Sequence, residues 1–244
     1  MIAAYEQGDY DRAIEVGQKL AAMAPGDPNV PYNMACLYAL KGDKEKGVEW
    51  FQKSADNGFA NLVLATTDSD LASIRSEPGY AAALENVRKS HDRVFEKFKA
   101  KAAKSEPVII VPNGLDETKP VPVIVALHGR AATAQSIVKP WKDVAQETGA
   151  ILVAPSAVLT AGPGYDWGEV DQAEWLVMNA LKQVAEQHKI DKDRVVLTGF
   201  SQGGYMAFNL GVRHGDEFCG VIPVGGTYNP SIAPPSLITG ARKP

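Results

Sequence analysis

Cysteine is scarce. Of 244 residues only Cys36 and Cys219 are cysteines, and they lie far apart. That excludes a disulfide framework, a CxxC redox pair and a cysteine metal site. Both are expected to be small buried residues in a reducing compartment. Basic excess is also absent. The chain has 25 Lys and Arg against 29 Asp and Glu, a net charge of −4, so no basic face for nucleic acid is expected. Long apolar runs are missing as well. The densest, Val121 to Leu127, has strand length and contains Pro122, so no membrane span is expected. The first residues lack a basic n-region followed by an apolar run. No signal peptide is read there and the chain as given is expected to be cytoplasmic, any native targeting segment lying outside it. Histidine is the last scarcity, with four in the chain.

What remains is ordinary globular composition, 45% hydrophobic and 22% charged. The chain divides in character between residues 104 and 105. Before that point apolar residues recur at helical spacing, as in Ala13, Val16 and Leu20 or Val48, Phe51 and Ala55. An internal repeat is visible. Gly8-Asp9 recurs as Gly42-Asp43, Ala13-Ile14 as Gly47-Val48, and Ala21 as Ala55, each at an offset of 34 residues. Small residues such as Ala13, Ala35 and Gly47 suit close helix pairs, and Gly8 and Gly42 suit the turns. This spacing resembles tetratricopeptide repeats. A short first unit, a full second unit from Asn33 to Gly58, a capping stretch over 59–80 and a linker helix over 81–104 are expected. Such a module implies a protein or peptide partner, or packing as a scaffold against its own enzyme.

After residue 105 strand-like runs alternate with helical ones. Strands are expected at Val108–Val111, Val123–Leu127, Ile151–Ala154, Val195–Thr198 and Val221–Val224. Helices are expected near Ile137–Thr148, Gln172–His188 and Gly203–His214. The pattern implies a parallel sheet flanked by helices. No phosphate loop, dinucleotide fingerprint or metal-ligand cluster appears, so no cofactor and no metal are expected.

The sharpest motif is Gly199-Phe200-Ser201-Gln202-Gly203, of the form G-x-S-x-G, between a strand-like and a helical run. Such a turn strains the serine backbone and needs small flanking residues. It would expose the Ser201 hydroxyl and leave the Gln202 amide at a helix N-terminus, where it can stabilise an oxyanion. A second motif, Leu127-His128-Gly129-Arg130, ends a buried strand and opens a loop, a place from which the Arg130 amide could supply a second oxyanion donor. His128 is read as bracing that loop in preference to moving protons.

With the Ala154–Ala157 stretch and Asp166-Trp167, these motifs resemble the alpha/beta-hydrolase fold over about residues 106 to 244. Within that fold they are similar to the carboxylesterase, acyl-thioesterase and phospholipase branch, with dienelactone hydrolases as cousins. The resemblance implies a serine esterase acting on a small acyl ester or thioester through an acyl-enzyme. Ser201 maps onto the nucleophile, Gln202 and Arg130 onto the oxyanion donors. His128 and Gly129 fall in the binding loop. Tyr165 and Trp167 fall where a pocket wall is built, or else pin a long loop.

In this fold an acid and then a histidine follow the serine. Here only His214 follows Ser201, 13 residues on at the end of the same helix. A helical rise puts it about 20 Å away. The chain reaches Pro244 where a further strand is expected to begin. The expectation is a partial hydrolase domain over 105–244, incomplete at its C-terminus, inactive alone, with triad acid and histidine beyond its end. The alternative reading is a non-catalytic binding module acting through its repeats.

Overall fold

The computed structural model describes residues 1–234 and 236. The chain forms two compact units, Met1–Lys97 and a second from Phe98 onward. The division falls inside a long helix, somewhat before the change of sequence character at 104/105.

The first unit begins with α1 (Ile2–Glu6), α2 (Tyr10–Met23), α3 (Asn29–Lys41) and α4 (Lys44–Asp56). It continues with α5 (Leu62–Thr67), a 3-10 helix (Ser69–Ile74) and α6 (Tyr80–Ala102), which runs on into the second unit. The sequence repeat has a structural counterpart. Asp9 caps α2 by accepting from the Arg12 amide at 3.1 Å, and Asp43 caps α4 by accepting from the Lys46 amide at 3.2 Å. Such caps satisfy amides that the helix itself leaves unpaired. Gly42 ends α3 at φ 82°, left-handed geometry that suits glycine. α3 is apolar on several sides because α2 and α4 both pack on it, and its Met34, Ala35 and Leu37 are buried. The stretch after α4 closes the core. Leu71 and Ile74 are fully buried, and a side chain at Gly47 would meet Ile74 Cγ2 at 3.0 Å. Phe51 stacks on Tyr80 at 4.6 Å between ring centres.

The second unit holds β1 (Val108–Ile110), β2 (Val121–Leu127), α7 (Ala134–Thr148), β3 (Ile151–Ala154), β4 (Leu159–Ala161) and β5 (Gly164–Asp166). Then come α8 (Val170–Gln187), β6 (Ile190–Phe200), α9 (Gln202–Arg213) and β7 (Gly220–Val224). Among the described residues the main sheet has five strands in the order β1-β3-β2-β6-β7. β2, β3, β6 and β7 are parallel. β1 is antiparallel to β3, so the sheet is mixed where a parallel one was expected. A parallel crossover needs a dozen or more residues, usually a helix. Residues 111–120 provide only turns between β1 and β2. β4 and β5 form a separate hairpin that sequence reading left as loop.

Alternation along β2 positions the helices. Ile124 and Ala126 join Leu152 and Ala154 under Ile137 and Val138 of α7. α9 packs on β6, β7 and β2, and α8 against α9 and β3. Over β6 and β7 one face is less covered. Phe200 is 55% exposed, and Ile222 and Val224 are each 46% exposed.

The cysteines differ from expectation in one respect. Cys36 is buried, but Cys219 is exposed because it precedes β7 instead of lying within it. Burial and the nearby Asp68 carboxylate push the Cys36 thiol well above its ordinary pKa. An aromatic disulfide reagent should therefore titrate one thiol quickly in native protein and a second only on unfolding. A Cys219→Ser variant should lose the fast phase. Two equally fast thiols would contradict this arrangement.

Candidate active site

β6 runs straight into the turn that the glycine motif required. Ser201 has φ 54° and ψ −117°, between the end of β6 and the start of α9. Among the described residues only Ala131 shares positive φ without being glycine. A non-glycine residue held there is strained, and such strain gathers at functional sites. Ser201 is exposed, and its amide donates to the Val224 carbonyl at 2.8 Å.

Neighbouring backbone leaves no space for side chains. A Cβ at Gly199 would lie 2.2 Å from the Gly203 carbonyl oxygen, and one at Gly203 would lie 2.3 Å from that of Leu127. α9 thus meets the end of β2 backbone to backbone. The loop after β2 lies beside the serine, since a Cβ at Gly129 would come within 3.6 Å of Ser201 Cβ. Among the described residues, neither the Arg130 amide nor the Gln202 amide has a hydrogen-bond acceptor. The Gln202 amide also stands at the positive end of α9.

A carboxylate that the sequence reading did not single out for a role lies between these two residues. Asp166, at the end of β5, accepts from Arg130 Nε at 2.8 Å through Oδ2. Through Oδ1 it accepts from Gln202 Nε2 at 2.9 Å and from the Gly168 amide at 2.7 Å. Burial opposes its ionisation, but the bonds from Gly168, Gln202 and Arg130 outweigh it and hold the carboxyl below its ordinary pKa. The local signal was an aspartate two residues before a glycine, a turn-forming pattern. The long-range bonds had no local signal.

His128 is fully buried, with Nδ1 2.8 Å from the Gly129 carbonyl oxygen and its ring 4.7 Å from that of Trp167. Burial lowers its pKa against the opposing pull of that carbonyl and of Asp166. Its hydrogen bonding is that of a loop brace, and among the described residues it makes none to Ser201. Trp167 takes the second of the two roles left open for it. It is fully buried, and its indole N–H donates to the His128 carbonyl at 2.7 Å, so it pins the loop instead of lining a pocket. Tyr165 is 40% exposed and bridges by its backbone to Ala132. The remaining histidines are engaged elsewhere. His188 faces Glu117 at 3.9 Å, His214 ends α9 facing Glu174 at 3.2 Å, and His91 lies beside Asp92 in α6.

An apolar cavity of about 590 Å³ opens beside the turn, over the less covered side of β6 and β7. Its wall is Ile137, Pro140, Trp141 and Val144 of α7 with Phe200 and Val224, and His128 and Gly129 border it. Tyr165 and Trp167, offered from sequence either as a pocket wall or as loop pins, are not among its lining residues.

A sheet flanked by helices, with a strained serine at a strand-to-helix turn, is the architecture of an alpha/beta-hydrolase-type protein. Comparison with known proteins gives the family. The chlorophyllase family model matches residues 61–243, and the chain belongs to that family. Probable feruloyl esterase C of Aspergillus oryzae is 30% identical over 176 residues, which cover 68% of this chain and 59% of that protein. Chlorophyllase-1 of Citrus unshiu is 30% identical over 122 residues, covering 48% of this chain and 37% of its own. Thus the chain spans less than two thirds of the length of these curated relatives. Among solved structures, esterase PE8 overlays 57% of this chain and 70% of its own with a TM-score of 0.45 and 21% identity. The family resemblance is that of a carboxylic ester hydrolase. The matched region begins within the first unit, at residue 61. No described helix is long and apolar enough to cross a membrane.

Proposed function

We propose that the protein is a serine carboxylic ester hydrolase with Ser201 as nucleophile. The Ser201 oxygen bonds to the acyl carbon, and the carbonyl electron pair moves onto oxygen. The Arg130 and Gln202 amides hold that oxyanion. Its collapse expels the alcohol, which takes the proton lost by Ser201, and water then cleaves the acyl-enzyme to acid and free serine. One observation carries this reading: a positive-φ serine between β6 and α9 with two acceptor-free amides beside it. The proton carrier is not one of the described histidines, so in this reading an imidazole and its acid come from outside these residues. The substrate is a carboxylic ester, and feruloyl esters and chlorophyll, named in relatives, are the first to assay.

The same reading takes residues 1–104 as a tetratricopeptide-like module with a protein or peptide partner and 105–244 as hydrolase. The paired caps at Asp9 and Asp43 support the repeat.

A fluorophosphonate probe tests the mechanism on the full-length protein. The expected result is a single adduct on the peptide carrying Ser201, blocked by prior incubation with an ester substrate. Ester hydrolysis without that adduct would overturn it.

A further inference from the structure

We propose that Asp166 is a positioning residue for this reaction. Its carboxylate ties Arg130 to Gln202 and so sets the spacing of the two backbone amides that receive the oxyanion. The inference rests on the serine hydrolase reading above.

Both oxyanion donors are main-chain groups, so nothing in their own chemistry fixes the distance between them. Gln202 stands on α9, at the end of β6. Arg130 stands in the loop after β2, next to Ala131, which is itself held at φ 61°. The two segments are joined by side chains that meet on one carboxylate, 2.8 Å from Arg130 Nε and 2.9 Å from Gln202 Nε2. Asp166 is well placed to act as a reference point. Its own segment is bonded to the Arg130 loop by backbone, Ala131 N to Tyr165 O at 2.9 Å and Tyr165 N to Ala132 O at 3.0 Å. Gly164 lets the hairpin approach so closely, since a Cβ there would sit 2.4 Å from the Ala132 carbonyl oxygen. On the other side the Trp167 amide donates to Gln202 Oε1 at 3.4 Å. Gln202 therefore has both ends of its side-chain amide engaged with residues 166 and 167.

The ties also explain an otherwise odd pairing. The Arg130 side chain is 70% exposed. An ion pair that wet contributes little to stability. Its value here is geometric, because a misplacement of about 1 Å at a reacting centre can cost about 100-fold in rate.

The test uses full-length protein and four variants, Asp166→Ala, Asp166→Asn, Arg130→Ala and Arg130→Ala/Asp166→Asn. Arg130→Ala removes the guanidinium and leaves the amide proposed as donor. Asp166→Asn keeps an acceptor for Gln202 and Gly168 but turns an N–H group toward Arg130. The expected loss in kcat is about 10-fold for each of these two and up to about 100-fold for Asp166→Ala, with KM within about twofold of wild type. The double variant should lose no more than either of its parents, because both break one bond. Should Asp166→Ala fail to fold, the two milder variants and their double decide alone. Wild-type kcat in both parents, a loss confined to KM, or losses that multiply in the double variant would overturn the inference. Ser201 labelling separates the two levels. If wild type hydrolyses esters without labelling at Ser201, the underlying reading falls and this inference with it. If wild type labels and the variants turn over normally, only the inference falls.

Discussion

Ser201→Ala is expected to reduce kcat for ester hydrolysis by roughly 10⁴-fold or more, by comparison with nucleophile removal in other serine hydrolases. The size follows from the role proposed for Ser201. Without its oxygen no acyl-enzyme forms, and the Arg130 and Gln202 amides can assist only direct attack by water. The substitution should not unfold the protein. Alanine and serine share the Cβ that strains the backbone at φ 54°, and among the described residues the hydroxyl makes no cap bond to α9. Ser201→Gly is a useful companion. It should be equally inactive yet gain about 1 kcal/mol of stability, because glycine adopts that geometry without penalty. Hydrolysis of a p-nitrophenyl ester and thermal melting by circular dichroism check both. Activity within tenfold of wild type in Ser201→Ala would remove the nucleophile assignment.

Gly203→Ala is expected to be strongly destabilising. The added carbon would sit 2.3 Å from the Leu127 carbonyl oxygen and 2.5 Å from that of His128. Both are backbone atoms at the end of a buried strand, so neither can swing aside as a side-chain tip would. β2 and α9 would have to part, and overpacking of this kind costs about 3 kcal/mol. Their parting would also displace the elbow and the Arg130 loop from one another. Urea unfolding should show a lower midpoint with an unchanged slope, and fluorophosphonate labelling should slow. Gly220→Ala is the control. Its Cβ would come no closer than 3.9 Å to Val196, and its unfolding should match wild type within about 0.5 kcal/mol. Equal midpoints for Gly203→Ala and wild type would show that the close approach of α9 to β2 is not rigid.

Much of this was legible in the sequence, for reasons that can be named. β2 and β3 were read within a few residues because buried parallel strands are short apolar runs between turn residues, and β7 because it is such a run although partly exposed. The start of β6 was not, because Asp191, Lys192, Asp193 and Arg194 are polar and continue the strand beyond its apolar core. The turn at Ser201 could be placed because its demand for small residues falls on neighbours in sequence. β1 was read as a strand but its antiparallel direction was not, and the β4–β5 hairpin went unread, since strands of three residues carry too little pattern to give direction or pairing. Cys219 departed from expectation through exposure, and the choice between the two readings of Trp167 was settled by its burial, both of which tertiary packing decides. Asp166 was missed as a link for a related reason. Its bonds reach back 36 positions to Arg130 and forward 36 to Gln202, and no local pattern announces such distances.

The glycines around Ser201 have a consequence for anyone who wishes to alter this protein. Gly199, Gly203, Gly204 and Gly226 each abut main chain so closely that a Cβ would lie 2.6 Å or less from a backbone atom. This part of the site is therefore closed to engineering, because no library of side chains can be written there without rebuilding the fold beneath it. Variation has to enter through positions that already carry side chains facing outward. Tyr165 meets that condition, being 40% exposed on a segment held by backbone bonds to Ala131 and Ala132, whereas the Arg130 side chain is engaged with Asp166. A saturation library at Tyr165 would keep the hairpin's main-chain bonds while changing the side chain that β5 presents outward.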